Sequence, residues 1–169
     1  MKIKFGTSGW RAIIADEFTF DNVRLVTQSI ADYVNTKYPA GIKPREVVVG
    51  YDTRFLSEEY AKIAGSVLSG NGIRALVTKR DVPTPVVAYE IIRRKTTGGI
   101  NFTASHNPPE YNGIKFSPDW GGPALPETTF AIEKRCEELA DKHGDIKETS
   151  WEKAKKEKLI EEIDPRPSY

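Results

Sequence analysis

Glu46-Val47-Val48-Val49-Gly50-Tyr51-Asp52-Thr53-Arg54 is the stretch that decides the fold. Three successive valines are too apolar for a strand with one wet face, so the run predicts a central strand covered on both sides. Asp52-Thr53-Arg54 then falls at its carboxyl end, where open α/β sheets place their ligands. Asp52 and Arg54 leave two readings open, an ion pair that shapes the loop or a direct substrate contact. On the amino-terminal side, Val23, Val26, Ile30 and Val34 recur at three- and four-residue steps. They predict a helix over 21–37 with Thr19 or Asp21 as N-cap. On the other side, Ser57 is expected to cap a helix whose inner stripe is Tyr60, Ile63, Ala64, Val67 and Leu68, ended by Gly70-Asn71-Gly72. A strand follows over 73–78. Thr84 as N-cap with Pro85 at the first helical position then predicts a helix to about 94. Residues 2–5 alternate in the manner of a first strand. Strand and helix exchange regularly enough to predict an α/β chain, a three-layer α/β/α domain with a mostly parallel, mixed sheet.

The chemistry concentrates further on. Gly98-Gly99-Ile100-Asn101-Phe102 reads as another strand, and Thr103-Ala104-Ser105-His106-Asn107-Pro108-Pro109-Glu110 follows it. A hydroxyl, an imidazole and an amide arrive in succession, and two prolines stop the backbone from continuing as strand or helix. Such a loop suits a serine held exposed at a strand end, and it equally suits an ordinary Asx-Pro turn. Tyr111-Asn112-Gly113 is a turn signal, and Ile114-Lys115-Phe116 alternates as a half-buried strand with Lys115 opposed to its neighbours. A hairpin here brings an ammonium toward the Ser105 hydroxyl, a usable pair for phosphoryl chemistry. Near the N-terminus, Gly6-Thr7-Ser8-Gly9 has the composition of a small anion-binding nest, with Arg11 just beyond it. A glycine turn with a solvent-facing arginine is the plainer alternative.

Thr103-Ala104-Ser105-His106-Asn107-Pro108 with Tyr111-Asn112-Gly113-Ile114-Lys115 resembles the active-site serine loop of the α-D-phosphohexomutases, the phosphoglucomutase/phosphomannomutase family. Phe5-Gly6-Thr7-Ser8-Gly9-Trp10-Arg11 and Gly50-Tyr51-Asp52-Thr53-Arg54 resemble two further signatures of that family's first domain. The resemblance implies that residues 1–163 form domain I and that 164–169 begin a linker to a second domain. It implies that Ser105 carries a phosphoryl group, exchanged with hexose 1- and 6-phosphates through a bound hexose 1,6-bisphosphate. The phosphorylated serine would supply one oxygen to Mg²⁺. Lys115 would act in proton transfer or charge stabilisation, and His106 in proton transfer or in anchoring the loop. Arg11 would contact the phosphorylated serine or the sugar phosphate through its planar fork, and Thr7, Ser8, Asn107 and Lys115 would bind substrate, with Asn107 holding the turn rather than reacting. The family's Asp-x-Asp-x-Asp metal loop, its sugar loop and its C-terminal phosphate loop do not occur in this chain, so the partners implied are the remaining domains and a hexose phosphate. A non-catalytic phosphosugar-binding module is the main alternative. A serine hydrolase fits poorly, because Gly-x-Ser-x-Gly is missing.

Composition bounds the rest. The 169 residues suffice for one domain with a real core. Lys+Arg at 25 against Asp+Glu at 24 leaves +1, which gives no reason to expect nucleic acid or an anionic membrane as partner. No run approaches the ~20 apolar residues of a membrane span. The single cysteine, Cys136, precludes an internal disulfide and fits a cytoplasmic setting. It falls on the inner stripe of a helix expected over 126–142, with Ile132, Leu139 and Ala140. His143 reads as a helix-end cation, and 151–158 as a solvated helical face.

Overall fold

The computed structural model describes residues 3–6 and 9–169, with His143 described by its backbone alone. Its strands are β1 (Trp10–Ile13), β2 (Glu46–Tyr51), β3 (Arg74–Thr78), β4 (Gly98–Phe102), β5 (Tyr111–Pro118) and β6 (Ile160–Ile163). The helices are α1 (Phe20–Lys37), α2 (Ser57–Gly70), α3 (Thr84–Arg94), α4 (Pro126–Leu139) and α5 (Trp151–Lys156). One sheet runs in the order β1-β5-β4-β2-β3-β6. β4, β2, β3 and β6 are parallel, while β5 and β1 close one edge antiparallel. The sheet is therefore mixed and mostly parallel, as the alternation of elements predicts.

The valine run shows why both faces must be covered. Val47, Val49 and Tyr51 enter a large core with α1, α2 and α4, whereas Val48 enters a second core with Leu76, Val87 and Ile91 beneath α3. Successive side chains point to opposite faces, so a strand with no polar position needs a helical layer on each side. Three layers result. Cys136 is buried in the larger core, and burial pushes its thiol up to about 11, so it remains a protonated apolar side chain.

Several local expectations change. Residues 3–5 are not a strand; Gly6 N–H instead donates to Gly9 O, and the edge strand begins at Trp10, where Trp10 and Ala12 alternate into the core. Lys2, also placed in that strand, lies outside the described residues. Thr19 caps α1, its Oγ1 accepting from Asn22 N–H at 3.2 Å. Ser57 does not cap α2, because Leu56 takes that position in the left-handed region (φ 62°) and frees the serine hydroxyl for other partners. Pro83, not Thr84, precedes α3, and Thr84 Oγ1 accepts from the Asn101 amide at 2.7 Å. The 111–113 turn signal is the opening of β5, since the Asn112 amide donates inside the fold to Ser57 Oγ. α4 ends at Leu139, short of the expected end at 142. Residues 151–156 form a helix with Ala154 buried and Trp151 packed on the core, followed by β6, which has no counterpart among the expected elements. Residues 164–169 turn back onto α3: Tyr89 Oη donates to Ser168 O at 2.5 Å, and Ser168 Oγ donates to the buried Glu90 at 3.0 Å. Among the described residues no helix is long and apolar enough to cross a membrane.

Candidate active site

β2 and β4 are neighbours with matched ends, Tyr51 opposite Phe102, so the loops that leave them emerge side by side. The chain from β2 goes on to α2, while the chain from β4 turns into the antiparallel β5. Adjacent parallel strands whose connections diverge leave a crevice at their carboxyl ends. Asp52 and Arg54 enter it from β2, and Ser105 from β4.

Ser105 is exposed and adopts φ 57°, the left-handed region that costs a non-glycine residue about 1–2 kcal/mol. Its N–H donates to the buried Thr103 Oγ1 at 3.0 Å, and Asn107 N–H closes the turn on Ala104 O at 3.0 Å. His106 is exposed beside it. The far side of the turn is held by Arg54, whose side chain is only 14% exposed. Its Nη1 donates to Pro108 O at 2.7 Å and Tyr111 O at 3.0 Å, and its Nη2 to Ser105 O at 3.0 Å and Asn107 O at 2.7 Å. Its Nε lies 3.4 Å from Asp52 Oδ2. The second carboxylate oxygen, Asp52 Oδ1, accepts from Arg54 N–H at 3.0 Å and from Ser57 Oγ at 3.1 Å. Ser57 Oγ accepts in turn from the buried Asn112 amide at 2.9 Å. A chain of side chains thus runs from β5 through α2 and β2 to the serine loop.

Arg11 projects from β1 and donates through Nη1 to Asn107 Oδ1 at 2.9 Å, so the sequence pair Arg11 and Asn107 meets in space. Lys115 lies on β5, opposite Asn101 of β4 and within the charge fields of Arg11 and Asp52. Burial, and secondarily the Arg11 guanidinium, hold its ammonium below the usual lysine value, while Asp52 acts the other way. Thr7 and Ser8 lie outside the described residues.

Two glycines make this packing possible. Gly9, at φ 131°, faces Lys115 so closely that an added Cβ would stand 2.3 Å from Ile114 O and 3.0 Å from Lys115 Cγ. At Gly113 an added Cβ would stand 2.5 Å from Thr103 O and 3.0 Å from Trp10 O. Those two oxygens belong to the backbone on either side of β5 and cannot swing aside. Gly113→Ala is therefore expected to destabilise the fold by about 1–3 kcal/mol, read as a lowered urea midpoint at unchanged slope.

Of these residues, Ser57 and Asn112 escape sequence reasoning, because helix-cap and turn chemistry explain the same residue types equally well. The signal that bears on them is Asp52 at a strand end with a serine five positions on. Whether a third polar group joins them depends on the pairing of β1, β5 and β4.

Residues 2–143 match the family model for the phosphoglucomutase/phosphomannomutase α/β/α domain I. The chain belongs to the phosphoglucomutase/phosphomannomutase family. It is 36% identical over 133 residues to a phosphoglucomutase of Staphylococcus saprophyticus, covering 75% of this chain and 23% of the relative. It is 34% identical over 165 residues to a phosphoglucomutase of Komagataeibacter xylinus, covering 92% of this chain and 29% of the relative. The crystal structure of a phosphomannomutase-like protein from Thermus thermophilus superposes on all of it with a TM-score of 0.80 at 32% identity, and the match covers 35% of that protein. This phosphohexomutase-family chain thus spans about a quarter to a third of its relatives' length. Its three-layer α/β/α fold with a mostly parallel, mixed sheet is the one that the alternation of strand and helix predicts.

Proposed function

We propose that this chain is the first domain of a phosphohexomutase that moves a phosphoryl group between the 1- and 6-positions of a hexose, with Ser105 as carrier. One observation carries the reading: an exposed serine, in the left-handed region at the end of a buried parallel strand, sits in a loop held on one side by Arg54 at the Ser105 carbonyl and on the other by Arg11 at the Asn107 side chain. Phosphoryl transfer asks a protein chiefly for positioning and charge neutralisation, and this arrangement supplies both.

In the forward half-reaction the bond between phosphorus and Ser105 Oγ breaks as a sugar hydroxyl oxygen bonds to the phosphorus, giving the hexose 1,6-bisphosphate. The hydroxyl gives up a proton and Ser105 Oγ takes one up, so the step is neutral in protons. Lys115 serves that exchange, and its lowered pKa brings it nearer working pH. The other phosphate then returns to Ser105 by the reverse chemistry. Arg11 binds phosphate oxygens and orients Asn107 at the turn. Mg²⁺, when bound, would neutralise charge on the transferring group. A phosphorylated Ser105 offers it an exposed oxygen. Among the described residues no group of three or more His, Cys, Asp or Glu side chains converges, and the remaining ligands belong to the other domains. Those domains also supply the sugar contacts, so the isolated chain is expected to show negligible mutase turnover in a coupled assay; turnover comparable to a full-length mutase would overturn that.

The test of the carrier is phosphopeptide mapping of the full-length protein exposed to Mg²⁺ and glucose 1,6-bisphosphate. Phosphate is expected on Ser105 and is expected to leave on adding excess hexose monophosphate. A bare Ser105 in an active enzyme would remove Ser105 from the mechanism. Absence of both phosphate and activity would favour a phosphosugar-binding module.

A further inference from the structure

We propose that Arg54 is the positioning residue that holds Ser105 in its reactive conformation, a role that rests on the mutase reading for its catalytic part. The loop after β4 is poor in donors, because Pro108 and Pro109 have no N–H and cannot build a local ladder. Its carbonyls at Ser105, Asn107, Pro108 and Tyr111 are answered by one guanidinium. A guanidinium has five N–H groups in a flat fork. Here four go to those carbonyls and the fifth faces Asp52. Both terminal nitrogens are thus spent on the loop and Nε stands in an ion pair with Asp52, which favours, of the two roles that the sequence leaves open for Arg54, the one that shapes the loop.

The clamp is itself held. Asp52 is fixed by Ser57, and Ser57 by Asn112 of β5, the strand onto which the serine loop returns. The Ser105 carbonyl is therefore tied to the sheet on the far side of the loop from Arg11. This is the residue whose backbone occupies a left-handed conformation. Such conformations persist where surrounding contacts over-determine them. Lysine keeps the charge but offers three donors on a flexible stem, and cannot span four carbonyls.

The experiment compares wild type, Arg54→Lys and, one link further out, Ser57→Ala in the full-length protein. Hydrogen exchange is followed by mass spectrometry over 103–112, alongside kcat and KM for glucose 1-phosphate. Arg54→Lys is expected to speed exchange of the loop amides by about tenfold or more. It is expected to lower kcat by about 10²-fold with KM within about threefold, since an ångström of misplacement acts on the chemical step more than on binding. Ser57→Ala is expected to move both readouts in the same direction by a smaller factor, and it stands in for Arg54→Lys if that variant fails to fold. Unchanged loop exchange overturns the clamp. Faster exchange with unchanged kcat overturns its role in the reaction. If the wild type takes up no phosphate, the mutase reading fails instead, and the exchange data alone decide the clamp.

Discussion

Ser105→Ala in the full-length protein is expected to lower mutase turnover by about 10⁴-fold or more, the scale seen when a covalent nucleophile is removed. In the proposed mechanism Ser105 Oγ receives and returns the phosphoryl group, and alanine has nothing to put in its place. The loss should be chemical and not structural. Ser105 is exposed and the contacts that hold its turn are made by its backbone, with N–H on Thr103 and carbonyl on Arg54. A substitution of that kind changes stability by no more than about 0.5 kcal/mol. The measurement is a coupled assay of hexose 1-phosphate conversion beside a thermal melt of the same sample. Turnover above about one hundredth of wild type at an unchanged melting temperature would mean that another group carries the phosphoryl, since loss of a true nucleophile is far larger.

Lys115→Met is expected to lower turnover by about 10³-fold, within the range of general acid–base catalysis. The same substitution should raise stability at neutral pH. Burial first, and the Arg11 guanidinium second, depress the Lys115 pKa, so the folded protein bears a cost for the charged ammonium that the unfolded chain does not. The sign follows from linkage. Below the folded pKa both states are protonated and the cost is present in full. As pH rises through the folded pKa toward the ordinary value of 10.5, the folded state releases its proton first and the cost is relieved. Wild type should therefore approach Lys115→Met in stability on going from pH 7 to about pH 10.5 in urea titrations. A parallel pair of stability curves would show that Lys115 is solvated in the folded protein. In the kinetics, the limb of the pH profile due to Lys115 should lie below the usual lysine range. Arg11→Gln should move it upward without restoring it fully, because burial is the larger cause. A residue of the proposed site whose removal stabilises the fold would be a familiar expression of function held at the expense of stability.

Much of this architecture is written in one-dimensional patterns. The valine run of β2 specifies a strand with two covered faces, and Val23, Val26, Ile30 and Val34 specify a helix with one; both follow from the fixed periods of strand and helix. The serine loop is legible because its prolines exclude regular structure and its polar residues follow without interruption. The departures share a physical cause. Ser57, Thr84 and the 111–113 segment carry residues that satisfy backbone groups at caps and turns, yet each lies where a long-range partner competes for the same hydrogen bonds. Asp52 takes the hydroxyl of Ser57, Asn101 donates to Thr84, and Asn112 donates to Ser57. Local chemistry proposes such a cap, and tertiary contact disposes of it. β6 is not legible because a four-residue strand at an edge buries only Ile160 and Ile163, too few positions for a period to show.

By itself, then, the sequence determined the layering, the helical and central strand elements, the family and the position of the serine loop for which the chemistry is proposed. All of these depend on neighbours along the chain or on motifs of consecutive residues. Only the tertiary structure decided what holds the loop. Arg54 reaches carbonyls 51 to 57 residues away, Arg11 reaches Asn107 across 96 residues, and Lys115 packs against Gly9 from a distant part of the chain. A guanidinium in isolation is equally able to bind substrate phosphate or backbone carbonyls. The pairing of β2, β4 and β5 surrounds this one with carbonyls, and both of its terminal nitrogens are spent on them.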